Sequence, residues 1–249
     1  MERLTARPAP LSWRVATVAE KRAETSSATT LVLDVPDWPG HLAGQHVDVR
    51  LTAEDGYQAE RSYSIASPPE DRHLALTIER IEDGEVSPYL TDELHSGDQF
   101  ELRGPIGGYF TWETGDGGPL LLLAGGSGLV PLMAMLRHRA AVTSTVAATV
   151  LVSARAWDDV LYRDELAALD DDGVTVRYTL TRRQPQDWAG WSGRVNAQML
   201  TEVGADRVGQ LHVFVCGPTG FVESVADLLV QLGHDPHTIK TERFGPTGG

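Results

Sequence analysis

The sequence has one cysteine, few aromatic residues and far fewer basic than acidic residues in 249 positions. Cys216 alone cannot form an internal disulfide, and it cannot hold an iron–sulfur cluster, which needs several thiolates. Lys and Arg number 21 against 35 Asp and Glu, which gives a formal net charge of −14. This charge opposes nucleic acids and anionic membranes, so neither a nucleic-acid partner nor membrane insertion is expected.

One uncharged stretch, residues 117–136, is long enough to cross a bilayer. Its centre holds Gly-Gly-Ser-Gly at 125–128 and Pro131, which favours a strand, a glycine turn and a helix over a single membrane helix. The first residues show no apolar segment of the secretory type. We therefore expect a cytoplasmic protein.

The pattern of apolar residues changes along the chain. Up to Phe110, short alternating runs lie between turn residues, which predicts an antiparallel β-barrel with a short helix near 87–93. From Pro119 onward, continuous apolar runs alternate with helical patterns, which predicts a doubly wound α/β domain with a parallel sheet. The fold class is thus all-β plus α/β, with domains at 1–115 and 116–249.

The predicted elements can be given as residue ranges. Barrel strands are predicted at 12–20, 29–35, 46–52, 61–66, 74–81 and 99–102. In the second domain, strands are predicted at 120–124, 148–153, 174–180 and 212–216, with a further candidate at 238–244. Helices are predicted at 129–139, 161–169, 196–203 and 221–232.

The glycine-rich turn at 125–128 lies between a predicted buried strand and a predicted helix. Glycines there let a pyrophosphate approach the backbone, and a helix N-terminus offers free N–H groups. Pro131 stands where the common dinucleotide fingerprint has its third glycine, so an ordinary strand–helix turn is the alternative.

The end of the next predicted strand bears on the choice of nucleotide. An acidic residue there is typical of NAD binding, whereas arginine accommodates the 2′-phosphate of NADP. The sequence has Ser153 and Arg155, and no acid before Asp158. This favours NADPH, with NADH possible. Arg182, after the following strand, could join the same anion site or be plain surface charge.

Two further segments carry polar residues on strands. In Arg61-Ser62-Tyr63-Ser64, alternation places Arg61 and Tyr63 on one face and the two serines on the other. Beside Arg80 and the turn at 84–87, this strand could hold a phosphate. The segment 216–218, Cys-Gly-Pro, ends a strand of the α/β domain, where ligands of such sheets bind.

Six short segments together resemble, in order and across nearly the whole chain, the ferredoxin–NADP reductase superfamily. They are RSYSIAS, DGEVSPYL, GPIGGYF, AGGSGLVPLMAML, VSARAWDDVLYRDEL and VCGPTGFVESV. The resemblance implies a flavin-binding barrel followed by a pyridine-nucleotide domain. It implies FAD rather than FMN, and electron transfer from NADPH through the flavin to an acceptor.

The resemblance also implies roles on the flavin side. Arg61 would pair with the flavin phosphate, Tyr63 would lie against the isoalloxazine ring, and Ser64 would lie near its reactive N5. The other positions expected to bind flavin are Ser62, Thr77, Ile78, Glu79, Arg80, Gly84, Val86 and Ser87. Ser87 could also be a helix N-cap.

On the nucleotide side, the resemblance assigns Gly126, Ser127 and Gly128 to the pyrophosphate. Ser153 and Arg155 would meet the adenosine ribose or its phosphate. Glu242 and Phe244 match a C-terminal segment that closes over the flavin, although a frayed tail is the alternative. Cys216, Gly217 and Pro218 would lie beside the nicotinamide. The residues expected to act in catalysis are Ser64, Cys216, Glu242 and Phe244.

The lack of cysteine also concerns the partner. Many oxygenase reductases of this superfamily carry a fused, cysteine-rich iron–sulfur domain, so this chain is expected to use a separate acceptor: a ferredoxin, a cytochrome or a partner oxidoreductase. A monomer without a metal site is expected. Two alternatives remain open: a reductase of free flavin or ferric complexes without tightly bound flavin, and a scaffold subunit without turnover.

Overall fold

The first half of the chain forms an antiparallel sheet of six strands, in the order β4-β3-β6-β1-β2-β5. The computed structural model describes residues 11–170 and 173–245. The strands are β1 (Arg14–Ala23), β2 (Ala28–Asp34), β3 (His46–Thr52), β4 (Gln58–Ser64), β5 (Leu74–Glu79) and β6 (Gln99–Ile106). The two edge strands approach one another through an antiparallel bridge from Ile65 to Leu76, which closes the sheet into the predicted barrel.

Strand alternation decides which side chains of the barrel face outward. On β3, Val47 and Val49 are buried in the barrel core, whereas His46 and Asp48 are half-buried on the opposite face. β3 pairs with β4 so that His46 lies opposite Ser64 and Asp48 lies opposite Ser62. Since directly paired residues share a face of a sheet, these four polar side chains form one outward-facing row.

The second half forms a parallel sheet of six strands, in the order β10-β9-β8-β7-β11-β12. The strands are β7 (Leu120–Gly125), β8 (Ala148–Ala156), β9 (Val174–Arg183), β10 (Trp191–Ser192), β11 (His212–Pro218) and β12 (Ile239–Phe244). The helices are α1 (Leu129–Ala141), α2 (Arg163–Asp170), α3 (Ala197–Glu202) and α4 (Thr219–Gln231). The last strand confirms the candidate at 238–244, and β10 is a short strand that the sequence did not predict.

Helices cover both faces of the parallel sheet. Residues of α1 and α2 share one apolar cluster with Leu122 and Val150, while α3 and α4 share another with Leu121 and Val215. Adjacent leucines of β7 thus face opposite sides, as expected for a strand buried on both faces. This confirms the predicted doubly wound α/β fold. α3 begins at Ala197 because the Asn196 side chain accepts a hydrogen bond from the backbone N–H of Met199.

The uncharged stretch 117–136 divides into β7, a tight turn over Gly126–Gly128, and the start of α1. The strand–turn–helix prediction is confirmed. Within the described ranges, none of the helices has the length and apolar character that crossing a membrane requires.

Polar side chains on α1 and around the start of α2 form contacts between the two halves of the chain. Arg137 donates to the carbonyl oxygen of Ala66 at 2.7 Å and pairs with Glu165 at 2.6 Å. Its guanidinium group lies 4.6 Å from the ring centre of Tyr162, whose hydroxyl donates to Thr77 on β5. These buried polar contacts give the barrel and the α/β domain one defined relative placement.

Candidate active site

The carboxyl ends of the parallel strands lie together at the edge of the α/β domain that faces the barrel. In the parallel register, Cys216 on β11 lies between Ala124 on β7 and Glu242 on β12. Gly125 pairs with Ser153 on β8, so the glycine turn and the end of β8 are neighbours. Ligands of open α/β sheets bind at this edge.

A histidine of the barrel meets this edge. His46 Nδ1 lies 3.7 Å from Oε1 of Glu242. His46 is also the cross-strand partner of Ser64. The structure thus places the predicted residues Ser64 and Glu242 beside His46, with Cys216 on the strand next to Glu242. The sequence did not predict His46. Its position depends on the pairing register of β3 with β4, which no local motif at 46 reveals.

Burial controls the ionisation of this cluster. It raises the pKa of the Glu242 carboxyl group to about 7, and Oε2 of this group has no hydrogen-bond partner among the described residues. Burial also raises the pKa of the Cys216 thiol, and the nearby Glu242 charge adds to this effect. Burial lowers the pKa of His46, which the charge of Asp48 partly opposes. Near neutral pH, Cys216 is therefore a neutral thiol rather than a nucleophile.

The glycine turn has an open side and a packed side. At Gly126, φ is +55° and a side chain would meet nothing within 4 Å. A Cβ atom at Gly128 would lie 2.1 Å from the carbonyl oxygen of Cys216, so this glycine lets the helix start pack directly on β11. Ser127 donates to Oε2 of Glu79 at 2.7 Å. If Ser127 and Gly128 face a pyrophosphate as predicted, they would do so with their backbone N–H groups. Gly126 is the residue of the turn whose surroundings are open.

Polar groups without partners occur at this edge of the sheet. No side chain caps the start of α1. Among the described residues, the buried Oγ1 of Thr219, next to the 216–218 segment, has no hydrogen-bond partner, which is also true of Glu242 Oε2. Buried polar atoms in folded proteins are normally paired, so orphaned ones point to a missing ligand. These residues fit a pyridine nucleotide.

Of the four predicted flavin-binding residues on β4, Arg61 and Ser62 are exposed, whereas Tyr63 and Ser64 are half-buried. Arg61 is exposed, and its guanidinium group lies 3.3 Å from Oε2 of Glu85. Tyr63 is half-buried against the barrel core, and burial raises its pKa to about 12, so the phenol stays neutral. Ser62 donates to Oδ1 of Asp48 at 2.6 Å. An exposed guanidinium group beside a neutral aromatic ring suits the phosphate and the flat ring of a flavin.

Several predicted flavin contacts are buried away from solvent. Ile78 and Val86 lie in the barrel core. Thr77 Oγ1 accepts a hydrogen bond from the hydroxyl of Tyr162 and forms a second hydrogen bond with the hydroxyl of Thr30. A flavin contact at these three positions would therefore be made by their backbone groups, and their part in flavin binding stays a prediction. Strand alternation places Ile78 inside the barrel and Thr77 on the opposite face, where the α/β domain covers it through Tyr162.

The turn after β5 is held by its own residues. Ser87 Oγ accepts from the N–H of Ile81 at 3.0 Å, and Pro88 occupies the position before the short helix Tyr89–Glu93. The alternative role of Ser87 as N-cap is thus wrong. A Cβ atom at Gly84 would lie 3.1 Å from the carbonyl oxygen of Ile81, which explains the glycine. Arg80 pairs with Asp92 at 2.8 Å.

The adenosine side of the edge carries exposed arginines. Ser153 is buried, while Arg155 and Arg182 are exposed. In the part of the chain that the structure describes, neither arginine makes a hydrogen bond or an ion pair. The neighbouring Arg183 lies 3.4 Å from Asp158. The two arginines without partners are therefore available to an anion at the ends of β8 and β9.

The C-terminal strand β12 ends at the predicted aromatic residue. Phe244 pairs in register with Pro218 at the end of β12 and is 36% exposed. The alternative of a frayed tail does not hold for residues 239–244, which form a regular strand beside β11. An exposed aromatic ring here lies on the same sheet edge as Cys216.

Two family models match the chain. The model described as an oxidoreductase FAD-binding domain matches residues 15–111, and the oxidoreductase NAD-binding domain matches residues 122–227. The ferredoxin–NADP reductase B of Sorangium cellulosum is 36% identical over 210 residues, covering 81% of this chain and 84% of that protein.

A second curated relative is longer. The glycine betaine monooxygenase reductase subunit of Pseudomonas aeruginosa is 33% identical over 208 residues, covering 82% of this chain. The match covers 56% of that relative, so the chain spans little more than half of its length.

Solved structures show the same architecture. The cytochrome P450 reductase of Amycolatopsis superposes with a TM-score of 0.83 at 27% identity, covering 95% of this chain and 71% of that one. The FAD/NAD-binding domain of the Vibrio cholerae nitric oxide dioxygenase superposes with a TM-score of 0.81 at 27% identity. This match covers 94% of this chain and 99% of that one. With a barrel that matches the FAD-binding domain and a parallel sheet that matches the NAD-binding domain, the chain belongs to the ferredoxin–NADP reductase family of flavoprotein oxidoreductases.

Proposed function

We propose that this protein is an NAD(P)H-dependent flavoprotein reductase that passes electrons from NADPH, through FAD, to a separate acceptor protein. The observation that carries the proposal is the approach of the two domains at this site: His46, the cross-strand partner of Ser64, lies 3.7 Å from Glu242, which pairs in register with Cys216. Residues from both domains are needed where a flavin held by one domain must face a nucleotide held by the other.

The chain's own residues supply binding and placement. Bound FAD supplies the redox chemistry and accepts electrons from NAD(P)H. Arg61 would hold its phosphate, and Tyr63 and Ser64 would flank its ring. Cys216, neutral because of its burial, and Phe244 would limit where the nicotinamide lies. Residues 1–115 would form the flavin domain and 116–249 the nucleotide domain.

NADPH is the nucleotide that the arginines favour. Arg155 and Arg182 are exposed at the ends of neighbouring strands. Asp158, the first acid after β8, lies within ion-pair distance of both Arg163 and Arg183. Asp158 is therefore engaged by cations rather than directed at a ribose hydroxyl, which supports NADPH over NADH.

The acceptor is proposed to be a one-electron carrier: a ferredoxin, a cytochrome or a partner oxidoreductase. The curated relatives are named as a reductase subunit of a monooxygenase and as a ferredoxin–NADP reductase. The net charge of −14 favours an acceptor with a basic docking face. An acidic acceptor would instead need a local basic patch, for which Arg72, Arg80 and Arg103 are the candidates; Arg80 and Arg103 are paired with carboxylates. A monomer in the cytoplasm completes the proposal.

One contact favours a second candidate, a reductase that uses exchangeable rather than tightly bound flavin. Glu85 lies beside Arg61 and also accepts from the Tyr57 hydroxyl at 3.2 Å. A carboxylate next to the arginine that meets the flavin phosphate competes for that arginine and repels the phosphate.

Flavin retention separates the two candidates. The purified protein would be passed over a gel-filtration column, and the visible flavin bands would be compared before and after. Co-elution of FAD in the wild type, and its loss in Arg61→Ala, is the result expected for the proposed reductase. A colourless wild-type protein that turns over added flavin would establish the second candidate. A colourless protein without turnover would overturn both.

A further inference from the structure

We infer that Tyr162 is a positioning residue of the proposed reaction, because its contact with β5 fixes the flavin domain relative to the nucleotide domain. The role in turnover rests on the proposed function, whereas the contact itself rests on the fold. Tyr162 lies just before α2, and its hydroxyl donates a hydrogen bond to Oγ1 of Thr77 on β5 of the barrel. Both side chains are buried.

The Tyr162 hydroxyl begins a chain of hydrogen bonds that runs into the barrel. Thr77 Oγ1 lies 2.7 Å from Oγ1 of Thr30, its cross-strand partner on β2, and Thr30 donates to Oε1 of Glu24 at 2.7 Å. Since Thr30 gives its proton to Glu24, Thr77 must donate to Thr30 and accept from Tyr162. Burial raises the pKa of Tyr162, so the phenol keeps the proton that it donates.

The backbone of Tyr162 is held in an uncommon conformation. Its φ is +54°, in the left-handed region that bulky residues rarely adopt. Residues persist there where surrounding contacts hold them, and such positions are frequent at functional sites. Here the ring packs under the guanidinium group of Arg137 and within an apolar cluster that includes Ala28 and Ala66 of the barrel. Contacts with both domains therefore determine where Tyr162 lies.

A second contact from the same place holds the end of β4. Arg137 donates to the carbonyl oxygen of Ala66 at 2.7 Å, two residues beyond the end of that strand. The N–H of Ala66 donates in turn to the carbonyl oxygen of Ala75 on β5 at 2.8 Å. Since β4 and β5 carry residues expected to bind the flavin, Tyr162 and Arg137 hold the flavin-binding side of the barrel directly.

The rate of the proposed reaction depends on this placement. A flavin held by the barrel must face a nicotinamide held by the α/β domain with the reacting atoms about 3–3.5 Å apart, and a misplacement of ~1 Å can cost about a hundredfold in rate. Another contact between the domains, from Ser127 to Glu79, is exposed and joins two residues expected to bind cofactors. A cofactor can replace that contact, whereas the buried Tyr162–Thr77 contact stays in place.

The first test needs neither cofactor nor turnover. Hydrogen exchange of the flavin-free protein, followed by mass spectrometry, would compare residues 74–79 in wild type and Tyr162→Phe. Loss of one hydrogen bond should speed exchange of this segment about two- to tenfold. Exchange of β6, which pairs with neither β5 nor its neighbour β2, should keep its rate.

Tyr178→Phe is the matched control for this test. It removes the hydroxyl of a half-buried tyrosine on β9, whose ring packs against Trp157 and Trp188 of the same domain. Exchange of residues 74–79 should be the same in this variant as in wild type. Unchanged exchange of this segment in Tyr162→Phe, or an equal increase in Tyr178→Phe, would overturn the inference.

The second test records reduction of the FAD-loaded protein by NADPH in single turnovers. Tyr162→Phe should lower the limiting rate at saturating NADPH about tenfold, since a displacement well below 1 Å suffices for such a loss. The NADPH concentration that gives half of this rate should stay within about twofold of the wild-type value. A purely structural role would instead release FAD on gel filtration and alter both quantities.

A double-mutant cycle shows whether Tyr162 acts through Thr77. Thr77→Val keeps the shape of the side chain and removes its hydroxyl, so it should lower the limiting rate to a similar extent. The variant with both substitutions should be little slower than either single variant, because both remove the same contact. Rate losses that multiply in the double variant would show two independent effects and would overturn the inference.

Failure of the inference and failure of the proposed function give different results. A normal limiting rate in Tyr162→Phe, with FAD and NADPH still bound, would overturn the inference and leave the reductase function intact. A wild-type protein that NADPH does not reduce would overturn the proposed function, and hydrogen exchange would then decide whether Tyr162 holds β5.

Discussion

The guanidinium group of Arg61 lies 3.3 Å from Oε2 of Glu85 on the exposed surface of the barrel. Arg61 is the residue proposed to hold the flavin phosphate, so its carboxylate partner lies where that phosphate would bind. The contact is solvent-exposed and worth little to stability. Its consequence concerns affinity for flavin, because a phosphate must replace Glu85 as the partner of Arg61.

Glu85→Gln is expected to tighten FAD binding about two- to fivefold, because an exposed pair contributes up to ~1 kcal/mol. Fluorescence titration of the flavin-free protein with FAD, at low and high salt, would measure it. Glu20→Gln, which breaks another exposed Glu–Arg pair, should leave the dissociation constant unchanged. Weaker FAD binding in Glu85→Gln would mean that Glu85 supports the phosphate site instead of competing with it.

Arg155→Ala is expected to raise the KM for NADPH about tenfold and to leave that for NADH unchanged, since a hydrogen bond to a charged group is worth ~1.5–3 kcal/mol. Steady-state kinetics with both nucleotides would show the split. Arg183→Ala is the control, since Arg183 lies on the same edge but is paired with Asp158. Equal increases in KM for both nucleotides in Arg155→Ala would show that Arg155 does not bind the 2′-phosphate.

Glu242→Gln is expected to stabilise the flavin-free protein at alkaline pH. The folded chain raises the pKa of Glu242 from 4.5 to about 7, so between these values the folded state binds more protons than the unfolded state. The free energy of unfolding therefore falls as pH rises through this window, and the loss is complete above about pH 7.

The gain in Glu242→Gln should reach about 3 kcal/mol near pH 8 and vanish near pH 4, at ~1.36 kcal/mol per pKa unit. Urea unfolding at both pH values would measure it. Glu101→Gln is expected to change the free energy of unfolding in the opposite direction, because a hydrogen bond from Arg50 lowers the pKa of Glu101. This variant should lose a little stability near pH 8. A Glu242→Gln variant that is no more stable than wild type near pH 8 would show that the carboxyl group ionises freely.

Gly128→Ala is expected to destabilise the fold by about 1–3 kcal/mol, because the added methyl group would lie 2.1 Å from the Cys216 carbonyl oxygen. Gly126→Ala adds a methyl group in open space. It should destabilise the fold only through the positive φ that alanine would have to adopt, by about 1–2 kcal/mol. Thermal unfolding would rank them. A smaller loss in Gly128→Ala than in Gly126→Ala would show that α1 can shift away from β11.

Much of the fold and part of the site follow from the sequence. Alternating runs before Phe110 and continuous apolar runs after Pro119 predicted the barrel and the parallel sheet. Ser64, Cys216 and Glu242 were expected from the family resemblance of short segments; strand register pairs Cys216 with Glu242, and His46 links Glu242 to Ser64. These are local signals, which a single sequence carries.

The missed and corrected residues depend on nonlocal geometry. His46 becomes part of the site through its pairing with Ser64 and its distance to Glu242, which link three separate segments. Ile78 was expected by resemblance on a flavin-contacting strand; its side chain lies in the barrel core, so only its backbone is free for that role. The Ser87 side chain accepts a hydrogen bond from the backbone N–H of Ile81 instead of capping a helix, and the shape of the loop determines this.

The most direct test of the account is anaerobic rapid mixing of the FAD-loaded protein with NADPH and, separately, with NADH, while the visible flavin bands are recorded. We expect NADPH to bleach the bands at lower concentration than NADH, and an added one-electron acceptor to restore them. Bands that stay unchanged with both nucleotides would contradict the proposed electron path from nucleotide to flavin.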